Sequence, residues 1–258
     1  MNWLTFVGEG RSGHTLLSGA IGSHPNARIT EEAKWIDRSL RVENIADRVV
    51  DMPEVIKELS APEIPFDGLN MVGNARKRQG WEGLETFSDP LLLLGDKCGW
   101  DAANAYKRGR APVTVIGDFG NLINMPVKTI VTVRNPYDNI ANWVLSNKYT
   151  RIFPSESLRQ KRMIRRYRRF YNNAADIVGV EGVNPFIVHH EKFLEDPRAM
   201  LESLCDYLEL PVHDEWMANC LEVVNANPHS YEVKWRNHAI KGIEHVINTN
   251  PLMSYYRK

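Results

Sequence analysis

Gly8-Glu9-Gly10-Arg11-Ser12-Gly13-His14-Thr15-Leu16-Leu17 is the stretch whose reading decides the fold. An apolar run, Trp3-Leu4-Thr5-Phe6-Val7, precedes it and reads as a buried strand. Leu16, Leu17, Ala20 and Ile21 follow at helical spacing, and Gly22 with Pro25 beyond it suits a helix end. A strand, a glycine-rich turn and a helix aim backbone N–H groups and a positive helix end at one point, which suits an anion, most often phosphate.

The spacing of Gly8, Gly13 and Thr15 resembles a P-loop, G-x-x-x-x-G-K-[ST], but His14 stands where the lysine belongs. An ATP-using enzyme needs that lysine on the β- and γ-phosphates. The turn instead carries Arg11, whose planar fork can take two oxygens of one phosphate or sulfate.

A second signal is Thr129-Ile130-Val131-Thr132-Val133-Arg134-Asn135-Pro136-Tyr137-Asp138. A β-branched strand ends in an arginine, Asn135 can cap the next helix, and Pro136 fits its first turn. Ile140 and Val144 then face the core at i, i+4. Leu91 to Leu94 reads as a strand ending in a charged turn at Gly95-Asp96-Lys97, and Pro112 to Ile116 as another strand. Ser155 to Gly179 reads as a long helix with a basic face, including Arg159, Lys161, Arg162, Arg165, Arg166, Arg168 and Arg169. Such a face can hold an acidic acceptor, though it is more often merely solvated. Asn184 to Pro197 reads as strand, turn and helix start, with Asp196 as cap, and Met200, Leu201, Leu204 and Leu208 continue a helical stripe. His189 and His190 lie on opposite faces of a strand, which argues against a shared metal. The string Asp118-Phe119-Gly120 stands without any companion kinase motif. Asp118 as a Walker-B-like carboxylate is what keeps an ATP–Mg²⁺ alternative open.

The loop Gly10 to Leu17 resembles the 5′-phosphosulfate-binding loop of the sulfotransferase family, which uses 3′-phosphoadenosine 5′-phosphosulfate (PAPS) as donor. Its R-S-G-x-T-L-L form is similar to that of the carbohydrate and tyrosylprotein sulfotransferases and their bacterial relatives. The resemblance implies a P-loop NTPase-like three-layer α/β/α fold with a mainly parallel sheet. It implies donor binding through Gly10, Arg11, Ser12, Gly13, His14, Thr15 and Leu16. His24-Pro25 with Glu31-Glu32 resembles the H-P-x-x-x-x-x-E-E segment of the tyrosylprotein enzymes. That makes Glu32, or its neighbour Glu31, the general base, since an attacking hydroxyl must lose its proton. Gly95-Asp96-Lys97 resembles the family's G-[DE]-K, which implies that Lys97 stabilises the leaving phosphate. Arg134-Asn135-Pro136 resembles R-[DN]-P-x-[DA], so Arg134 is expected on the 3′-phosphate at the carboxyl edge of the sheet. The family's serine eight residues later is Asn142 here, which can donate through its amide, and Ser146 is a possible substitute. Tyr231 to Arg236 resembles S-x-x-[RK]-W-R, which implies donor contacts from Lys234 and Arg236, and Lys241-Gly242 echoes a shorter motif.

The 258 residues suit one domain, expected to span 1–258, with 37–90 as acceptor-binding or lid region and 229–258 covering the donor. Formal net charge is zero, so no nucleic-acid partner is implied. Three cysteines show neither metal spacing nor a paired framework, which suits a reducing compartment. Cys98, beside Lys97, is a site where the thiol pKa could be lowered, without a partner histidine to make it a nucleophile. No signal peptide or membrane span is visible, so the expected location is cytoplasmic. Sulfuryl oxygens carry less charge than a γ-phosphate, so side-chain cations suffice and no Mg²⁺ or other metal is required. The readings kept beside this one are a kinase-like enzyme using ATP–Mg²⁺ and a non-catalytic nucleotide binder. Acceptor identity and oligomeric state stay open.

Overall fold

Residue-by-residue alternation in the first strand splits the core in two. In β1 (Asn2–Val7), Trp3 and Val7 belong to one hydrophobic cluster, while Leu4 and Phe6 belong to another. Successive side chains of a strand point to opposite faces, so the two clusters are the two sides of the sheet. The computed structural model describes residues 1–40, 51–60, 90–102, 112–225 and 233–257.

The sheet has five strands in the order β2-β3-β1-β4-β5, and every pairing is parallel. The remaining strands are β2 (Ala27–Glu31), β3 (Leu93–Lys97), β4 (Val127–Val133) and β5 (Phe186–His189). On the Leu4 and Phe6 face pack α1 (His14–Gly22), α9 (Pro197–Leu208) and α10 (Asp214–Asn225). On the Trp3 and Val7 face pack α2 (Trp35–Ser39), α3 (Met52–Ser60), α4 (Pro112–Ile123), α5 (Pro136–Leu145), α7 (Glu156–Val178) and α11 (Asn237–Thr249). The shorter α6 (Asn147–Ile152) and α8 (His190–Glu195) and a 3₁₀ turn (Pro251–Tyr256) complete the described elements. This is the expected three-layer α/β/α arrangement with a parallel sheet, buried on both faces as such sheets are.

The capping chemistry reads directly. Asn135 accepts the Tyr137 N–H at 3.0 Å ahead of Pro136, and Asp196 accepts the Ala199 N–H at 3.1 Å ahead of Pro197. Two expectations need correction. The strand expected over Pro112 to Ile116 is the start of α4. Its β-branched residues favour a strand, but Val115, Phe119 and Ile123 recur at helical spacing and are buried against the sheet, and that burial wins. Asp118 therefore sits on a helix, not at a strand tip where a Walker-B carboxylate belongs. β3 also lies two residues later than the run of leucines suggests, so Asp96 and Lys97 are inside the strand, not in a turn. Most of the expected 37–90 region, and residues 229–232 and 258 of the expected donor-covering segment, lie outside the described residues.

His24, fully buried after α1, gives the fold an acid-sensitive joint. Its Nδ1 accepts the Asn26 N–H at 3.1 Å, so Nε2 carries the proton and donates to the Pro211 carbonyl at 2.8 Å. Burial, and then the nearby His213, outweigh that carbonyl and lower the ring's pKa from 6.5 to about 4. The unfolded chain therefore binds a proton that the folded one refuses. This stability is complete above pH 6.5 and is lost as pH falls towards 4. Chemical denaturation at pH 7, 5.5 and 4.5 is expected to show decreasing stability, with a shallower decline in His24→Gln; an unchanged slope in the variant would remove His24 as the cause.

Candidate active site

The turn between β1 and α1 spends its own Gly8, Gly10 and Ser12 amides on internal bonds and leaves open those at the start of the helix. Gly13 caps α1 with φ 93° and offers no side-chain cap, so the first-turn N–H groups of the helix stay available to an anion. Only glycine holds that φ without strain, and a Cβ on Gly13 would also collide with the imidazole of His190, the first residue of α8. Gly8 and Gly99 touch backbone to backbone: the Gly8 N–H donates to the Gly99 carbonyl at 2.7 Å, which joins the loop to the segment following β3.

The loop tip is held by side chains from distant helices. Gly10 donates its N–H to Glu9 Oε1 at 2.9 Å, and its carbonyl accepts from Trp143 Nε1 at 2.9 Å. Glu9 is buried and paired with Arg166 of α7, whose Nη2 approaches Oε1 to 2.6 Å and whose Nε reaches both carboxylate oxygens at 3.2 Å. Arg166 also donates to the Tyr149 hydroxyl at 3.0 Å. The Trp143 ring receives two guanidinium groups, Arg166 at 4.7 Å and Arg11 at 5.6 Å from its centroid. Arg11 itself is exposed, at φ 72°, and makes no ion pair among the described residues. Glu9, Trp143, Tyr149 and Arg166 were not foreseeable as site residues. Arg166 stands in a basic run and at the edge of an apolar stripe, and nothing in the local pattern separates it from its solvated neighbours. Of those, Arg159 donates to the Phe153 and Pro154 carbonyls, while Lys161, Arg165, Arg168 and Arg169 are exposed.

Glu31, Glu32 and Lys97 come together at the carboxyl ends of β2 and β3. Glu31 and Lys97 are register partners. Lys97 Nζ lies 2.8 Å from Glu31 and 3.2 Å from Glu32. Lys97 is 1% exposed and Glu31 8%, whereas Glu32 is 52% exposed, so only Glu32 faces an incoming molecule. One oxygen of Glu31, Oε2, is buried with no hydrogen-bond partner among the described residues. Asp96 shapes the turn that presents Glu32: it accepts from the Thr30 hydroxyl at 2.8 Å and from the Ala33 and Lys34 N–H groups at 3.0 and 2.8 Å. Glu32, at φ 57°, donates its N–H to the Lys97 carbonyl at 3.1 Å. Arg11 and Glu32 are thus both held in the left-handed region, at a cost on the order of 1–2 kcal/mol each, by bonds to the elements around them.

His14 opens α1 beneath this group. Its Nδ1 lies 3.2 Å from Ser12 Oγ, which is 2.8 Å from Thr132 Oγ1 of β4. Burial, followed by the charges of Lys97 and Arg11, lowers its pKa from 6.5 to about 3, so the ring is neutral. The same electrostatics show that Lys97, Arg11 and His14 share one neighbourhood.

Arg134 closes the site from β4. It is buried, and its Nη1 reaches the Arg11 carbonyl at 3.4 Å, so the tips of β1 and β4 meet. Two tyrosines hold the end of β4, with Tyr171 and Tyr167 donating to the carbonyls of Thr132 and Arg134. Glu191 of α8 accepts the Asn135 N–H at 2.9 Å and the Tyr256 hydroxyl. Asn142 is half-buried beside Trp143, and Ser146 sits at the junction of α5 and α6 with no side-chain capping bond. Lys234 and Arg236 are exposed. Their segment docks on α7 through Gln160, which donates to the Lys234 carbonyl and accepts the Arg236 N–H. Trp235 meets Tyr137 of α5 at 5.7 Å. The thiol of Cys98 goes the other way from the expectation: burial first, then Asp101 and Asp96, push its pKa up. His189 ends β5 while His190 opens α8, and among the described residues no group of His, Cys, Asp and Glu is placed to hold a metal ion. No described helix is long and apolar enough to cross a membrane.

The chain matches no protein-family model, and no curated protein resembles it in sequence. Solved structures do resemble it. A sulfotransferase from Alicyclobacillus acidocaldarius aligns with TM-score 0.53 at 12% identity, over 99% of this chain and 94% of that one. The sulfotransferase STF9 from Mycobacterium avium aligns with TM-score 0.50 at 11% identity, over 96% of this chain and 74% of that one. The chain has the α/β/α fold of these sulfotransferases.

Proposed function

We propose that this protein is a sulfotransferase that uses PAPS to sulfate an acceptor hydroxyl or amine, leaving 3′-phosphoadenosine 5′-phosphate. The observation that carries the reading is Lys97, a buried cation pinned by Glu31 and Glu32 beside an uncapped anion-binding turn. PAPS, when bound, supplies a sulfuryl group activated by a phosphate leaving group. The donor fits the residues present: open first-turn amides, Arg11 at the turn, and Arg134 buried at the neighbouring strand tip. The N–H groups of Gly13 to Leu16 and the Arg11 guanidinium hold the 5′-phosphosulfate; the Ser12 N–H, also expected there, is taken by the Glu9 carbonyl at 3.1 Å. Arg134 and Asn142 hold the 3′-phosphate, with Lys234 and Arg236 reaching in from the C-terminal segment. Lys97 and Arg11 stabilise charge that grows on the leaving phosphate, as fixed cations do in phosphoryl transfer. Glu32, the exposed member of the pair, takes the acceptor proton, and Glu31 keeps Lys97 in place.

Calorimetric titration with 3′-phosphoadenosine 5′-phosphate, AMP and ATP–Mg²⁺ tests this, together with ³⁵S transfer from labelled PAPS to acceptor pools. The bisphosphate is expected to bind at least tenfold tighter than either competitor. Arg134→Ala should weaken bisphosphate binding by about 100-fold, the value of charge-assisted bonds worth roughly 1.5–3 kcal/mol. AMP, which lacks the 3′-phosphate, should be nearly unaffected. A preference for ATP–Mg²⁺ in the wild-type protein would overturn the reading.

A further inference from the structure

We infer that His14 sets which anion the loop accepts, by withholding a positive charge: a neutral ring at this position selects a terminal sulfuryl group over a terminal phosphoryl group. The inference rests on the sulfotransferase reading above and names the discriminating residue of that same site.

The position is the first residue of α1, where a triphosphate-binding loop has its lysine. Here the side chain is buried, 6% exposed, and engaged with Ser12, which is tied to Thr132 of β4. The charges that face the loop come from four elements. Arg11 is in the turn itself, Arg134 directly follows β4, Lys97 ends β3, and Glu31 ends β2 with Glu32 directly after it. Glu9 also lies in the loop, but Arg166 of α7 neutralises it. Lys97 is likewise shared between two carboxylates, so it adds no surplus charge of its own. A terminal phosphoryl group carries one more negative charge than a terminal sulfuryl group of the same shape. With surplus cations few and the lysine position neutral, that extra charge meets no extra partner. A lone excess charge in a partly desolvated site is costly. The depressed pKa of the ring, caused by burial and by Lys97 and Arg11, keeps it neutral at any physiological pH.

Adenosine 5′-phosphosulfate and ADP form the test pair, because they are near-isosteric and differ by one terminal charge. Their affinities are measured without Mg²⁺ for the wild type, His14→Lys, His14→Gln and Glu31→Gln. The wild type is expected to favour the phosphosulfate at least tenfold. His14→Gln should keep that preference, and His14→Lys should reverse it. Glu31→Gln, which frees part of the Lys97 charge, should shift the ratio towards ADP by several-fold, and it serves as the second route should His14→Lys fail to fold. Circular dichroism and a thermal melt establish folding. A wild type that binds 3′-phosphoadenosine 5′-phosphate and transfers sulfate but treats the two probes equally overturns this inference alone. The same holds for a folded His14→Lys with an unchanged ratio, or, should that variant fail to fold, for Glu31→Gln with an unchanged ratio. A wild type that neither binds the bisphosphate nor transfers sulfate overturns the sulfotransferase reading and this inference with it.

Discussion

Lys97→Met is expected to lower kcat for sulfuryl transfer by about a thousandfold and to lower the melting temperature by roughly 10 °C. The two losses have different causes. Lys97 is a fixed, buried donor beside the anion loop, and removing one preorganised donor from such a position costs about 10²–10³ in rate. Methionine keeps the unbranched stem of the side chain and loses the terminal ammonium group, so the packing of the stem changes little. The stability loss comes from what stays behind. Glu31 is 8% exposed and has Lys97 as its ion-pair partner, and breaking a buried pair by removing one member costs about 3–5 kcal/mol. In a chain of this size about 3 kcal/mol corresponds to roughly 10 °C. Lys97→Met/Glu31→Gln removes the orphaned charge, so the double variant should regain most of the melting temperature and none of the rate. A double variant that regains rate along with stability would mean Lys97 is structural, and the catalytic assignment would fall. Glu32→Gln is the companion: its exposed carboxylate carries little stability, so its effect should be confined to turnover.

Those assignments draw unevenly on the sequence. The turn from Gly8 to Thr15 and the cap at Asn135-Pro136 were legible because their determinants are local. Gly13 marks one of the turn's two positive φ angles, a short polar side chain marks the cap, and a β-branched run precedes the second of them. Glu31, Glu32 and Lys97 were named one by one, but their union was not visible, because it depends on β2 and β3 pairing in a register that sets Glu31 opposite Lys97. The leucine run at 91–94 pointed to a strand two residues too early, since Asp96 and Lys97 look like turn residues until their partners Thr30, Ala33 and Glu31 are known. At Pro112 to Ile116 residue preference pointed to a strand, and burial of Val115 and Phe119 decided for a helix. The support of the loop tip was hidden altogether. Glu9 and Arg166 are 157 residues apart, and no local pattern links them.

That hidden contact carries the second large effect. Arg166→Met is expected to destabilise the fold by about 3–5 kcal/mol, because Glu9, whose side chain is 4% exposed, would be left charged with its ion pair gone. Arg166→Lys should recover only part of this, since an ammonium group cannot reach both oxygens of Glu9, the Tyr149 hydroxyl and the Trp143 face together. Glu9→Gln/Arg166→Met separates stability from function. With no charge to bury, it should melt within a few degrees of the wild type, as the replacement of buried pairs by neutral groups often allows. Its donor binding should still suffer. The side-chain amide introduced by Glu9→Gln can still accept the Gly10 N–H through its oxygen, but Trp143 loses the Arg166 cation beneath it, and Trp143 holds the Gly10 carbonyl and flanks Arg11. The expected signature is a KM for PAPS raised about tenfold with kcat changed less than threefold, because the groups assigned to the chemistry, Lys97 and Glu32, are untouched. Equal falls in kcat and kcat/KM would place Arg166 in the transition state and not in the support of the loop; an unchanged KM would show that Arg11 needs no shelf to find the donor.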